Sequence, residues 1–229
     1  MSLKVIEFAG LPGSGKSTLA AKVVSRLCVG DYAVISRHEA LADEKAAPIR
    51  HCVRARYVLT SILRDPKPFL QALQLIYTDR QPDFRTFARV CWNMWCVLGW
   101  YGWLSRCVTG IAIVDQGLLQ AIWSVRLSAI RDTADWSRFL RDLGTIGAVI
   151  IVDCHDDGLH QRLASRKQDS ALSGVSVNDL IWTAGRHAFH KTLEDAAKIG
   201  PVLRLQNNNE QALDACLSKI LDWREISET

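Results

Sequence analysis

The chain lacks the marks of several large protein classes. It contains no Cys-x-x-Cys pair, and its seven cysteines, at 28, 52, 91, 96, 107, 154 and 216, are odd in number and scattered. That pattern argues against a disulfide frame or a zinc site, and reduced thiols in a cytosolic protein are the simplest account. A membrane span needs roughly 20 apolar residues. The best stretch here, Val90 to Leu104 with Ser105, lies between Arg89 and Arg106, and these leave 16 uncharged residues. Asn93 and Ser105 lower its apolarity further, so it reads as a buried core helix, with an oligomer interface as the other use. Net charge is only +4, from 28 basic and 24 acidic residues, too slight to mark a nucleic-acid binder. Repeats, low-complexity tracts and linkers are absent, so 229 residues read as one domain. The first strand begins near residue 3, which leaves no room for a signal peptide, and a cytoplasmic protein is expected.

What the chain does have stands near its start. Gly10-Leu11-Pro12-Gly13-Ser14-Gly15-Lys16-Ser17 fills the G-x-x-x-x-G-K-[ST] template, with Thr18 following. Before it runs the apolar stretch Lys4 to Ala9; after it, Leu19, Val23, Val24 and Leu27 recur on one helix face. Glycines at 10, 13 and 15 let the backbone curl and aim its N–H groups inward at a di- or triphosphate. The helix that follows adds its positive end. Lys16 reaches the outer phosphates, and the Ser17 hydroxyl suits Mg²⁺. This spacing predicts a nucleoside triphosphate site.

Tyr32 to Ser36 is a second apolar strand, stopped off from the first helix by Gly30. Arg37-His38-Glu39 follows its carboxyl end, where open α/β sheets bind ligands. Glu39 is a candidate catalytic base or substrate clamp, or else a loop acid capping the next helix. From about 40 to 108 no strand is convincing. Cys52, Arg56, Leu59 and Leu63 recur at helical spacing, as do Phe69, Leu73 and Ile76; Pro66, Pro68 and Pro82 separate three helices. So long a helical insert exceeds what one crossover needs and suggests a pocket for a second substrate. Arg50, Arg54, Arg85 and Arg89 are candidate ligands there, or ordinary surface charges.

Gly110 to Val114 is an apolar run ending in Asp115, the pattern of a central strand presenting an acid beside the phosphate loop, where it orders Mg²⁺. Gly147 to Asp153 is a further buried strand. Beyond it, Arg162 and Arg166 lie four apart on one helix face, suited to spreading charge on a transferring phosphoryl group. With the polar run 168–174 they suggest a lid over about 158–176. A helix near 178–198, the strand Val202 to Leu205 and a last helix with Leu213, Leu217, Ile220 and Leu221 complete the chain. The polar turn 206–209 is a place for a base to rest.

The order of these parts resembles the nucleoside and nucleoside-monophosphate kinases, closest in layout to the thymidylate kinase and deoxynucleoside kinase group. The correspondence runs through the loop at 10–17, Glu39, the helical insert, Asp115 and the Arg162-x-x-x-Arg166 helix. It implies a three-layer α/β P-loop NTPase fold with a five-stranded parallel sheet and the insert between strands 2 and 3. It also implies ATP with Mg²⁺ as donor, and transfer to a small acceptor under the insert, with no nucleic-acid or membrane partner. A homodimer through the Trp-rich insert is a further expectation. Two departures concern the acceptor. Asp115 is followed by Gln116 where these kinases carry arginine, and Arg37-His38-Glu39-Ala40 replaces the Arg-Glu-Pro of thymidylate kinases. The acceptor's class therefore stays open, with sugars, antibiotics and other metabolites beside nucleosides.

Two other classes compete: an NTPase that uses water as acceptor, working as a switch or motor, and a regulatory nucleotide-binding protein. The guanine-reading N-K-x-D is missing, and no glutamate directly follows Asp115 to polarise water. Leu172 to Ser176 only partly echoes the transporter ATPase signature and stands in the wrong order relative to Asp115.

Overall fold

A computed structural model describes residues 4–27, 34–36, 47–107, 111–153, 180–206 and 210–225. Five short, mostly apolar segments are strands: β1 (Lys4–Ala9), β2 (Val34–Ser36), β3 (Ile111–Val114), β4 (Ile146–Asp153) and β5 (Val202–Gln206). They pair in the order β2-β3-β1-β4-β5, and every pair is parallel. Parallel neighbours need crossovers, and helices supply them. In chain order these are α1 (Lys16–Leu27), α2 (Ala47–Arg64), α3 (Lys67–Asp79), α4 (Phe84–Cys107), α5 (Leu118–Ser128), α6 (Trp136–Leu143), α7 (Leu180–Ala197) and α8 (Glu210–Glu225).

The pleat divides the strands between two cores. Val5, Ala9, Ala112, Val114, Val149 and Ile151 join a large core with the insert helices α2 to α4 and with α5, α6 and α7. Ile6, Phe8, Ile111, Ile113, Ile150 and Val152 face the other way and join a smaller core with Leu19, Val23 and Leu27 of α1 and with Leu213 and Ile220 of α8. A sheet covered on both faces is what its unbroken Val/Ile runs require. The result is an α/β fold with a parallel sheet between two helical layers.

The insert forms three helices, broken where the prolines stand. Its inward face differs from the one that apolar spacing suggests. Leu59 is 60% exposed and Leu63 78% exposed, and Cys52 and Arg56 also face outward; Val58 and Ser61 are the buried positions. The cause is a close crossing of α2 and α4. A Cβ placed on Gly99 would stand 2.7 Å from the Val58 nitrogen, and the Ser61 hydroxyl donates to the Gly99 carbonyl at 3.1 Å. Backbones that approach so closely need small residues at the contact, so the inward stripe of α2 is not its most apolar one. On α3 the expected stripe holds, with Phe69 and Ile76 buried and Leu73 packed against them.

The Trp-rich helix α4 is a core helix. Trp100 is fully buried, Trp95 and Trp103 pack against the core, and Trp92 is 37% exposed. Among the described residues no helix is long and apolar enough to cross a membrane.

Between Asp115 and β4 the sequence pattern marks no helix, yet α5 and α6 lie there. Leu118, Leu119, Ala121, Ile122, Trp123 and Val125 of α5 are all buried. A helix wrapped on nearly every side has no polar stripe for periodicity to detect. Two buried polar hubs pin these helices. Asp79 accepts hydrogen bonds from the Thr133 and Ala134 N–H groups at 2.9 and 2.8 Å and from the Trp136 indole at 3.0 Å. Arg126 donates to Asp195 at 2.6 Å, to Asp132 at 3.1 Å and to Thr192 at 3.2 Å.

Candidate active site

The register of β1 and β3, Lys4 beside Ile111 through Glu7 beside Val114, brings their carboxyl ends together. The glycine-rich loop leaves β1 and Asp115 leaves β3, so the two features far apart in sequence emerge side by side. In the loop Gly13 has φ 90° and Gly15 φ 85°, the left-handed region that only glycine occupies cheaply. The Ser14 N–H donates to the Leu11 carbonyl at 3.1 Å, closing the curl, and the Leu19 N–H donates to Gly15 at 3.0 Å as α1 begins. Lys16, at the first turn of α1, is 8% exposed, and Asp115 is 7% exposed. Ser17 is half-buried and Thr18 exposed. A nest of N–H groups, an ammonium, a hydroxyl and a carboxylate are thus gathered at one end of the sheet. Hard oxygen donors from Ser17 and Asp115 suit Mg²⁺, which takes few protein ligands and completes its shell with phosphate and water.

Beside the acid turn opens a cleft of about 220 Å³. Arg54 of α2, Asn93 of α4, and Gln116, Gln120 and Ser124 from the acid turn and α5 give it polar walls; Val97 and Ala121 supply an apolar part. Of the four arginines singled out in the insert, Arg54 reaches this cleft, whereas Arg85 and Arg89 stand exposed at the start of α4 and do not line it. Arg50 is half-buried on α2. Asn93 was legible only as an interruption of an apolar run. Its position on the cleft explains why a polar residue stands there.

A further residue escaped notice in the sequence. Glu7, in the middle of β1, is completely buried and faces the larger core between Val5 and Ala9. Its Oε1 accepts from the Leu119 N–H at 2.7 Å, and its Oε2 from the Leu118 N–H at 3.1 Å and the Tyr101 hydroxyl at 3.0 Å. Burial pushes its carboxyl up to about 7, against these hydrogen bonds, which pull the other way. The signal was available: a lone acid inside a strand buried on both faces must have partners.

Arg37, His38, Glu39, Arg162, Arg166, the whole span 158–176 and the turn 207–209 lie outside the described residues.

No protein-family model matches the sequence, and no curated protein matches it significantly. Solved structures do. Deoxyadenosine kinase from M. mycoides with bound dATP aligns over 94% of this chain and 98% of its own, at 12% identity and a TM-score of 0.55. The same kinase with the products dCMP and a flexible dCDP bound aligns over 95% and 98%, at 12% identity and 0.54. Thymidylate kinase from Ehrlichia chaffeensis aligns over 96% and 98%, at 14% identity and a lower TM-score of 0.48. At such identities the likeness is one of architecture, and with the loop, acid turn and helical insert in place, the chain has the fold of the P-loop nucleoside and nucleoside-monophosphate kinases.

Proposed function

We propose that the chain is an ATP-dependent phosphotransferase acting on a small acceptor: a nucleoside, a nucleotide or a related metabolite. The observation that carries this reading is a polar-lined cleft walled by the insert and opening beside the acid turn, next to the strand that runs into the phosphate loop. A nucleotide-binding switch needs the loop and the acid; it has no use for a second cleft with convergent polar side chains at that place. The architecture shared with kinases of small molecules supports the same reading.

In this reading the backbone N–H groups of the loop residues Gly10 to Thr18 other than Pro12, with the Lys16 ammonium, hold the triphosphate, while Ser17 and Asp115 hold Mg²⁺. The metal, when bound, neutralises charge on the phosphate oxygens and orients them for in-line transfer. Arg54, Asn93, Gln116 and Gln120 orient the acceptor. Carboxamides present donor and acceptor side by side and so suit hydroxyl groups and heterocycle edges. With Gln116 where a second guanidinium would stand, the cleft leans toward a neutral, hydroxyl-bearing acceptor. Glu39 is assigned as the base that takes the hydroxyl proton, and Arg162 and Arg166 as the pair that spreads the developing charge.

The test is ADP release from ATP and Mg²⁺ measured against a panel of nucleosides, nucleotides and sugars. Release that depends on one acceptor class, with a phosphorylated product of matching mass, supports the assignment. Release indifferent to every acceptor transfers the chain to the switch or regulatory class. We also propose a homodimer through the Trp-rich insert, whose outward apolar side chains include Leu59 and Leu63 on α2, Leu70 and Tyr77 on α3, and Phe84 and Trp92 on α4. Light scattering that gives the mass of a single 25.6 kDa chain rules this out.

A further inference from the structure

Helix α5 begins with Gly117 at its N-cap, a residue with no side chain to satisfy the first N–H groups. Serine, threonine, asparagine or aspartate at that position is the inexpensive local solution. Here the cap arrives from another element. Glu7 of β1 takes the Leu118 and Leu119 N–H groups, one on each carboxylate oxygen. The space is filled so closely that a Cβ on Gly117 would stand 2.7 Å from the Glu7 carboxyl carbon and 2.5 Å from the Tyr101 hydroxyl. Glycine at 117 and the acid at 7 therefore belong to one arrangement. It costs the burial of a carboxylate that a local cap would have avoided.

What that cost secures is a junction. Glu7 stands three residues before Gly10, where the phosphate loop begins. The turn it seats, Asp115-Gln116-Gly117, carries the metal-site carboxylate and two residues of the cleft. Tyr101, its third partner, lies on α4, one turn beyond Val97, and α4 also gives Asn93 to the cleft wall. Donor strand, acid turn and acceptor wall thus meet at one side chain.

We infer that Glu7 is a positioning residue for phosphoryl transfer, holding the Asp115–Gly117 turn at a fixed height between the phosphate loop and the acceptor cleft. This rests on the phosphotransferase reading above. Glu7 touches neither substrate; it acts through Asp115 and Gln116. A shift of about 1 Å in that turn is enough to spoil alignment between donor and acceptor.

The decisive variants are Glu7→Gln and Tyr101→Phe. Glutamine keeps the shape, but its amide N–H₂ must face one of the two backbone donors, so half of the cap is lost. Phenylalanine removes the hydroxyl that donates to Glu7 and keeps the ring, so it carries the test if Glu7→Gln fails to fold. Steady-state kinetics in ATP and in acceptor are measured with melting temperature, and Ile220→Val, in the smaller core away from the site, serves as a stability control. Glu7→Gln is expected to lower kcat at least tenfold and raise the acceptor KM while ATP affinity stays within about twofold. Tyr101→Phe should move the same quantities less, and Ile220→Val should lose stability with kcat intact. A Glu7→Gln or Tyr101→Phe protein that melts earlier yet keeps kcat and both KM values overturns the proposal. If the wild type transfers phosphate to nothing, the phosphotransferase reading fails on its own. The positioning role is then read from Mg²⁺: it predicts at least a tenfold loss, in Glu7→Gln, of the gain in ATP-analogue affinity that Mg²⁺ provides. An unchanged gain overturns it.

Discussion

Lys16 carries a charge yet is 8% exposed, at the head of α1 where the positive end of the helix already stands. In the proposed reading that ammonium serves the triphosphate beside the helix end. Lys16→Ala should therefore cut phosphoryl transfer by far more than tenfold, or about 1.4 kcal/mol, with a melting temperature changed by a few degrees. Retention of a tenth of the wild-type rate places the chemistry elsewhere. Asp115 obeys similar logic. It follows a fully buried strand and is itself 7% exposed, and in the proposed reading its carboxylate serves Mg²⁺. Asp115→Asn keeps the shape and removes the charge. Turnover should fall steeply and the Mg²⁺ concentration needed for half-activity should rise, while thermal stability barely moves. An early-melting variant with full activity marks Asp115 as structural.

At the scale of elements, what the sequence disclosed and what it hid separate by the distance over which the information is carried. The phosphate loop is a local template, eight residues whose glycines already state their dihedral needs, and the structure bears out its curl in the positive φ of Gly13 and Gly15. Strands β1, β3 and β4 announce themselves as apolar runs. The cap on α5 could not be read this way, because its partners are 111 and 112 residues apart along the chain. The inward face of α2 was hidden for another reason: it is chosen by the fit of Ser61 and Val58 against Gly99 and Gly102, not by apolarity. That contact supports its own prediction. Gly99→Ala must force α2 and α4 apart, at a cost of about 1–3 kcal/mol. Arg54 and Asn93 ride on the same two helices, so the acceptor KM should rise as the cleft changes shape, while ATP affinity, set by the loop on β1, stays put. Equal losses in both substrates assign the effect to general unfolding. Arg126 offers a contrast, since its buried ties to Asp195 and Asp132 sit at the far end of α5. Arg126→Ala leaves Asp195 buried without that partner and should cost about 3–5 kcal/mol, read in denaturant, with the kcat of the folded fraction little changed.

For the whole molecule, the buried carboxylate of Glu7 ties stability to pH in a direction opposite to most acids. Its pKa stands at about 7 in the fold against 4.5 for an ordinary glutamate, with burial as the leading cause. The folded chain therefore holds the Glu7 proton more tightly than the unfolded chain does. Its contribution to stability is fully present below about pH 4.5, declines as pH rises through that interval, and is gone above about 7. A shift of this size corresponds to roughly 3 kcal/mol. Asp83 and Asp135 lean the other way, held below the usual carboxylate range chiefly by the Thr86 N–H and the Ser137 hydroxyl respectively. Their contributions are present above the ordinary aspartate range and fade only as the solution becomes more acidic than that, outside the window of Glu7. The clean measurement is a difference: urea unfolding of wild type and Glu7→Gln at matched pH values from 4.5 to 8, which cancels every acid the two share. The variant loses its cap bond at all pH values, a constant offset. On top of that offset, the wild type should lose roughly 3 kcal/mol relative to the variant between pH 4.5 and 8, most of it before pH 7. A difference that stays flat across the range shows that Glu7 does not titrate there. Hydrogen bonds that outweigh its burial and hold it ionised would give that same flat difference from pH 4.5 upward, with the wild type losing its advantage only at more acidic pH.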